Sequence, residues 1–95
     1  DAARVRSLAL AAEHGCTPAA PAQGLFAWLD AGVDTDRLAQ ALLDDGWLIA
    51  PGSLFHATRR PTPLMRVNVA ASQDRAFWRA LALRRDELLR KGPRG

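Results

Sequence analysis

Hydrophobic and polar residues alternate over residues 64–70, whose sequence is LMRVNVA. Successive side chains of a β-strand point to opposite faces of a sheet, so the alternation predicts a strand with one aliphatic face. The residues on that aliphatic face are Met65, Val67 and Val69. Arg66 and Asn68 share the opposite face, where a guanidinium shielded from water needs an anionic partner.

Two other short apolar runs also predict strands. Residues 25–30, LFAWLD, are apolar on both faces, which predicts that both faces are covered. The two sets of alternate residues in this run are Leu25, Ala27 and Leu29 on one side, and Phe26 and Trp28 on the other. Residues 47–50, WLIA, are the second run, and Pro51 and Gly52 would stop that strand.

Three segments have apolar residues spaced three or four apart, which predicts amphipathic helices. Gly15 would end the first helix, Asp34 would cap the second, and Gly46 follows its last turn. Ser72 is the predicted N-cap of the third helix, with Asp74 in its first turn. The apolar stripes are Val5, Leu8, Ala9 and Ala12 in the first segment, Leu38, Ala41 and Leu42 in the second, and Phe77, Leu81 and Leu88, with Trp78 beside them, in the third.

This order of helices and strands predicts an α+β fold. We expect a two-layer sandwich, in which a small, mainly antiparallel sheet has about three helices on one face. The other face of the sheet is then open, and it carries Phe26 and Trp28 as well as Arg66. Exposed apolar surface of a few hundred Å² marks an interface. We therefore expect the domain to dock on another surface, with Arg66 directed into the contact.

The composition is that of one small globular domain, with 95 residues, of which 48% are hydrophobic and 24% charged. No apolar run approaches the ~18–20 residues of a membrane-spanning helix. Cys16 is the only cysteine, so no internal disulfide forms and a reducing, cytoplasmic compartment is expected. The chain begins at Asp1, and its one methionine, Met65, lies inside a predicted strand. We therefore expect a fragment of a longer protein, with a single domain over residues 1–95 and a disordered tail at residues 91–95.

The positive charge does not favour a nucleic-acid-binding role. The net charge is +3, and residues 84–95 alone hold five basic and two acidic residues, which accounts for the whole excess. Cations at the C-terminal end of a helix suit its dipole, so a solvated helix end explains them. A stand-alone basic module that binds nucleic acid remains the least favoured alternative.

Arg66 and Asn68 are the candidate ligand-binding pair. Because they lie two residues apart on one strand face, they could bind one planar anion together, and arginine makes two parallel hydrogen bonds to a carboxylate. An interdomain salt bridge, or a solvated arginine on an edge strand, also explains Arg66 from its spacing alone.

The remaining polar residues fit no metal or catalytic pattern. The loop over residues 51–63 could line the mouth of a pocket or merely connect two strands; its polar candidates are Ser53, His56, Arg59 and Arg60. His14 and Cys16 form one short pair without a second pair at metal-ligand spacing. Ser53 does not lie in a Gly-x-Ser-x-Gly turn, and the chain has no glycine-rich phosphate loop. We therefore predict no metal site and no catalytic residue in this chain.

Four motifs follow one another over roughly residues 5–90: GLFAWLD, a capped helix ending in LLDDGWLIAPGSLF, the strand LMRVNVA, and a final helix. Together they resemble the C-terminal small domain of fold-type I, pyridoxal-phosphate-dependent aminotransferases. That family has a G-(G/L)-F-x-W strand, then a PG-x-x-F loop, then an L-R-(L/I/V)-x-(F/V)-A strand.

The resemblance implies a role for each matching residue. Arg66 matches the arginine that binds the α-carboxylate of the amino-acid substrate. Pro51, Gly52 and Phe55 match the loop that borders the site, and Asn68 matches the variable residue after the arginine. An amino-acid-like ligand, a homodimeric parent and a large domain that binds pyridoxal phosphate are implied as well.

The family's cofactor-binding groups are not implied for this chain. The lysine that forms the Schiff base, the aspartate beside the pyridine nitrogen and the phosphate-binding groups belong to the large domain of the family. The only lysine here, Lys91, lies outside every motif. We therefore expect the chain alone to bind no cofactor and to catalyse no transamination.

The segment GVDTDRLAQALLDDGWLIAPGSLFHATRRPTPLMRVNVAAS is most similar to the MocR subgroup of GntR-type bacterial regulators. Those proteins join a winged-helix DNA-binding domain to an aminotransferase-like domain that senses an effector with pyridoxal phosphate. The resemblance implies a transcriptional regulator that binds DNA only through a winged helix absent from these residues. The enzyme alternative is the same small domain from a genuine class I/II aminotransferase.

Overall fold

The computed structural model describes residues 2–19, 26–55 and 61–91. The helices are α1 (Ala2–Glu13), α2 (Thr35–Asp44) and α3 (Arg75–Lys91). The strands are β1 (Thr17–Pro18), β2 (Phe26–Asp30), β3 (Ala50–Pro51) and β4 (Leu64–Asn68). Two short 3₁₀ turns cover Gly52–Phe55 and Ala71–Gln73.

The described strands form one antiparallel sheet in the order β1-β2-β4-β3. The central pair is β2 with β4, which runs from Phe26 opposite Asn68 to Asp30 opposite Leu64. One face of this pair shares a core with all three helices; its members are Ala27, Leu29, Met65 and Val67 from the strands, Leu10 and Ala11 from α1, Leu38 and Leu42 from α2, and Phe77, Trp78 and Leu81 from α3. The predicted α+β fold, with a small antiparallel sheet and a helix layer, is confirmed.

The predicted alternation in β2 and β4 is also confirmed. Met65 and Val67 are almost fully buried, whereas Arg66 is half-buried and Asn68 exposed. In β2, Ala27 and Leu29 are buried, but Phe26 is exposed, so the expectation that both faces of this strand are covered is wrong for the domain by itself. The part of the prediction that concerns Leu25 lies outside the described residues. The sequence therefore determines which face of the central pair meets the helices.

Helix α2 begins and ends as its sequence predicts. The carboxylate of Asp34 accepts a hydrogen bond from the backbone N–H of Asp36 at 3.0 Å, which caps the first turn. Gly46 follows the last turn with a φ of 87°, a left-handed conformation that glycine adopts without steric strain. Leu38 and Leu42 are fully buried on its inner face.

Helix α1 forms where predicted, but a different face is buried, and of the predicted stripe Leu8 alone packs against the core, partly buried. Val5 is 67% exposed, whereas Leu10 and Ala11 are buried. Ser7 is buried with them because its hydroxyl forms a hydrogen bond with the hydroxyl of Ser72. The stripe of apolar residues was misleading because alanine-rich helices have no strongly preferred face.

The second predicted strand is shorter and lies later in the chain. Strand β3 is Ala50–Pro51 rather than residues 47–50, so Pro51 belongs to the strand that it was expected to stop. Proline is tolerated there because β3 is an edge strand. Trp47 instead closes the end of α2 and packs its ring 5.7 Å from the ring of Phe77.

The predicted cap of the last helix is wrong. Helix α3 begins at Arg75, and the carboxylate of Asp74 accepts the capping hydrogen bond from the N–H of Ala76 at 2.9 Å. Ser72 lies in the preceding 3₁₀ turn, where its hydroxyl donates to the carbonyl of Asn68 at 2.8 Å. The indole N–H of Trp78 donates to the carbonyl of Ser72 at 2.8 Å. Ser72 therefore joins β4 to α3 instead of starting the helix.

Strand β1, which pairs with β2, lies before the three predicted strands and was not predicted. Lys91 is the last residue of α3, and residues 92–95 of the predicted tail lie outside the described residues. Among the described helices, none has the length and hydropathy of a membrane span.

We expect Leu81→Ala to lower the free energy of unfolding by about 2–5 kcal/mol, because Leu81 is fully buried and its loss leaves a cavity. Leu83→Ala is the matched control on the same helix, since Leu83 is 59% exposed, and it should change the value by less than ~0.5 kcal/mol. Urea unfolding of the chain measures both. Equal losses in the two variants would contradict the described packing of α3.

Candidate functional site

Arg66 lies at the centre of the open face of the sheet. It is paired with Trp28 of β2 on one side and with Ala50 of β3 on the other. Its neighbours along the strand, Met65 and Val67, point into the helix layer, so the side chain of Arg66 points away from that layer. The direction predicted for Arg66 is therefore confirmed.

Two aromatic rings hold the guanidinium of Arg66. Its central carbon lies 4.1 Å from the ring centroid of Phe26 and 4.8 Å from that of Phe55. Both distances are within the ~6 Å over which a cation is attracted to an aromatic face. The ring of Phe55 also meets the ring of Trp28 edge to face, at 4.9 Å between centroids and 75° between planes.

Within the described part of the chain, the side chain of Arg66 has no ion pair and donates no hydrogen bond. Other arginines do find acids: Arg84 lies 2.7 Å from a carboxylate oxygen of Asp45, and Arg75 lies 2.9 Å from one of Glu13. The hydrogen bond from Arg84 holds the pKa of Asp45 below its usual value. The guanidinium N–H donors of Arg66 are thus not hydrogen-bonded by the described residues, although two aromatic rings lie against the guanidinium.

Asn68 has a structural role beside Arg66. Its side-chain oxygen accepts a hydrogen bond from the N–H of Ala70 at 2.8 Å, which turns the chain at the end of β4. Asn68 is exposed on the same side of the strand as Arg66. Joint binding of one anion by Asn68 and Arg66 stays a prediction.

The loop predicted to border the site passes directly beside β4. Pro51 pairs with Met65. At Gly52 a Cβ atom would lie 2.7 Å from the carbonyl oxygen of Leu64 and 2.7 Å from a methyl carbon of Thr62, so a larger residue would push the loop away. The 3₁₀ turn that starts at Gly52 brings Phe55 over Arg66. The structure therefore brings together Arg66 and Phe55, and Pro51 and Gly52 set the path between them.

Thr35 fixes this loop, although it was not among the residues predicted for the site. Thr35 is fully buried, and its hydroxyl donates to the carbonyl of Leu64 at 2.7 Å. The same oxygen accepts a hydrogen bond from the N–H of Gly52 at 3.3 Å. Nothing in the sequence marks Thr35 beyond its place after the cap residue Asp34, because all of its partners are distant in the chain.

The other sequence candidates do not gather at Arg66. Ser53 is buried, and its hydroxyl donates to the carboxylate of Asp36. The Nδ1 of His14 forms a hydrogen bond with the carbonyl of Leu10 at 2.7 Å. Cys16 is buried, and this burial raises the pKa of its thiol to about 11. The remaining loop candidates, His56, Arg59 and Arg60, lie outside the described residues. Within the described segments, no three His, Cys, Asp or Glu residues are arranged to hold a metal ion.

Pyridoxal phosphate does not fit the described residues by themselves. The cofactor needs a lysine amine for its Schiff base. The only lysine, Lys91, is the exposed last residue of α3, which belongs to the helix layer rather than to the open face. This chain therefore provides no such amine beside Arg66.

Comparison with known protein families and with curated proteins gives no match. Among solved structures, the fold matches a multiple substrate aminotransferase from Thermococcus profundus, with a TM-score of 0.76 and 23% sequence identity. The match covers 96% of this chain and 25% of the aminotransferase, so the chain spans about a quarter of that protein. The three helices and four antiparallel strands of the described residues thus have a fold that matches an aminotransferase small domain.

We expect Thr35→Val to lower the free energy of unfolding by about 1–3 kcal/mol, because it leaves the part-buried carbonyl of Leu64 and the buried N–H of Gly52 without the hydroxyl. Thr17→Val is the matched control, since Thr17 is exposed on the edge strand β1. Urea unfolding, followed by tryptophan fluorescence, compares the two. A Thr35 variant as stable as the control would show that the hydroxyl does not anchor the loop.

Proposed function

We propose that this chain supplies the carboxylate-binding arginine of an amino-acid site that lies between it and a larger, pyridoxal-phosphate-binding domain of the same parent protein. The observation that carries this proposal is the environment of the Arg66 guanidinium. Its guanidinium lies on the open face of the sheet, between two rings, with no acidic partner among the described residues. In the proposed site that partner is the carboxylate of the ligand.

The surroundings of Arg66 suit this task. A guanidinium and a carboxylate form two parallel, charge-assisted hydrogen bonds, each worth about 1.5–3 kcal/mol. The exposed rings of Phe26 and Phe55 exclude water from one side of the pair, and attraction between charges strengthens as the local dielectric falls. A second domain over the open face would complete the enclosure.

For the parent protein, we infer a transcriptional regulator of the MocR type. The support is the similarity of the segment from Gly32 to Ser72, which contains α2, the Gly52–Phe55 turn and Arg66. In such a parent, cofactor and amino acid bind between the domains, and a separate winged helix binds DNA in a homodimer. The ligand can shift the arrangement of the DNA-binding domains only if it binds one arrangement more tightly than the other.

A genuine aminotransferase is the second candidate for the parent. It is favoured by the fold, because the matching solved structure is that of an aminotransferase. In this case Arg66 holds the substrate carboxylate and so orients the amino group towards the cofactor on the large domain. The role of Arg66 in binding is the same in both parents.

We expect Arg66→Ala, made in the intact parent protein, to weaken the binding of its amino acid by about 10²- to 10⁴-fold, because both charge-assisted hydrogen bonds, worth about 3–6 kcal/mol together, are lost. The absorbance of bound pyridoxal phosphate should stay unchanged, since no cofactor-binding group is altered. Arg79→Ala is the control, because Arg79 is exposed on α3, away from the open face. Unaltered binding in the Arg66 variant would contradict the proposal.

The parent itself is identified by a second experiment on the intact protein. A regulator should bind its operator in a manner that depends on pyridoxal phosphate and amino acid, without steady transfer of amino groups. An aminotransferase should transfer the amino group to a keto acid at every turnover. A basic nucleic-acid module would instead bind DNA or RNA through these 95 residues alone, and lose the binding as salt rises.

A further inference from the structure

We propose that Phe26 and Phe55 form an aromatic clamp that positions Arg66 for its carboxylate ligand. This role goes beyond the proposed function and rests on it, because a clamp has a purpose only if Arg66 binds the ligand. The two rings are positioning residues: they act on the ligand through Arg66 rather than on reacting atoms.

The rings reach Arg66 from different parts of the chain. Phe26 is opposite Asn68 in the β2–β4 pair, which makes it the diagonal neighbour of Arg66. Aromatic side chains span such a diagonal. Phe55 comes from the 3₁₀ turn after β3 and lies 4.8 Å from the same guanidinium carbon that Phe26 approaches to 4.1 Å. Two independent segments therefore converge on one cation.

Each ring is held in place without help from a ligand. The ladder of β2 with β4 fixes the backbone of Phe26 opposite Asn68, and its ring lies against the guanidinium of Arg66. Phe55 is fixed by the edge-to-face contact with Trp28 and by the anchored start of its turn, where Ser53 donates to Asp36. Both rings nevertheless remain partly exposed, at 38% for Phe26 and 47% for Phe55. Their contact with Arg66 thus exists on the surface of the domain before any ligand or second domain covers it.

The clamp holds the arginine but leaves its hydrogen-bonding capacity unused. Arginine has a long side chain with many rotamers, and a site binds more tightly when these are restricted beforehand. Aromatic rings restrict the guanidinium through its charge, whereas an acidic side chain would occupy its N–H donors. The faces of the rings are electron-rich, so they also turn a carboxylate towards the N–H edge of Arg66.

This arrangement predicts an effect that is specific to the carboxylate. If the rings only stabilised the domain, their loss would weaken every ligand of the site. If they position Arg66, their loss weakens ligands that carry a carboxylate and spares the corresponding amines. The difference between the two ligand types is therefore the decisive measurement.

The experiment uses the intact parent protein loaded with pyridoxal phosphate. The first probe is whichever of the twenty standard amino acids binds the unmodified protein most tightly, and the second is the amine formed from it by removal of the carboxylate. We expect Phe26→Leu and Phe55→Leu each to weaken the amino acid by about 2- to 30-fold. The amine should change by less than about twofold, and Phe26→Trp should retain tight binding because tryptophan attracts cations at least as well.

Two controls separate the clamp from other effects. Leu54→Ala alters the neighbour of Phe55 in the same turn, which is 52% exposed, and it should leave both probes unchanged. In an Arg66→Ala background, Phe26→Leu should no longer affect the amino acid, because the clamp acts only through Arg66.

The outcomes distinguish this proposal from the proposed function. If Arg66→Ala has no effect, or if no amino acid binds, the proposed function fails and the clamp fails with it. If Arg66→Ala weakens binding but the phenylalanine variants do not, the clamp alone is refuted. Equal losses for amino acid and amine, or a full effect of Phe26→Leu without Arg66, would also overturn the clamp.

Discussion

The register of β2 against β4 is the constraint on which both the core and the open face depend. It places Ala27 and Leu29 in the core together with Met65 and Val67. The same register directs Arg66 to the opposite face. A shift by one residue would move the aliphatic side chains into solvent and carry the guanidinium into the helix layer, so stable packing and the direction of the arginine cannot be separated. Burial of the aliphatic residues therefore also determines the face on which Arg66 lies.

A second constraint sets the distance between the sheet and the loop beside it. Thr35 joins the start of α2 to the backbone of Leu64 and of Gly52, and Gly52 has no room for a larger side chain. The turn that follows is therefore held against β4, and Phe55 at its end reaches Arg66. Helix, loop and strand meet at one buried hydroxyl. A residue of the helix layer, Thr35, thus helps to fix the position of Phe55 on the open face.

The sequence predicts best where one local pattern decides the structure. Alternation in β2 and β4, the cap at Asp34 and the direction of Arg66 all follow from neighbouring residues. Prediction failed where partners distant in the chain decide: Ser72 was expected to cap α3 but is bound by β4, Ser7 and Trp78. Trp47 was predicted to lie in a strand, but it lies outside the sheet and packs against the core and the ring of Phe77. The contacts of Phe26 and Phe55 with Arg66 could not be predicted from local sequence either. They depend on the register of β2 against β4 and on the turn at Gly52–Phe55.

The single thiol of the chain lies in a sheltered place. Cys16 is fully buried, and the guanidinium of Arg85 lies across it, bound to the carbonyl of His14. Desolvation raises the pKa of this thiol to about 11, which lowers the thiolate fraction at neutral pH, and a protonated, buried thiol is a poor nucleophile. A cysteine introduced elsewhere would therefore take up a maleimide dye without competition from Cys16. Placed at the rim of the open face, such a dye would make the approach of a neighbouring domain visible as a change in fluorescence.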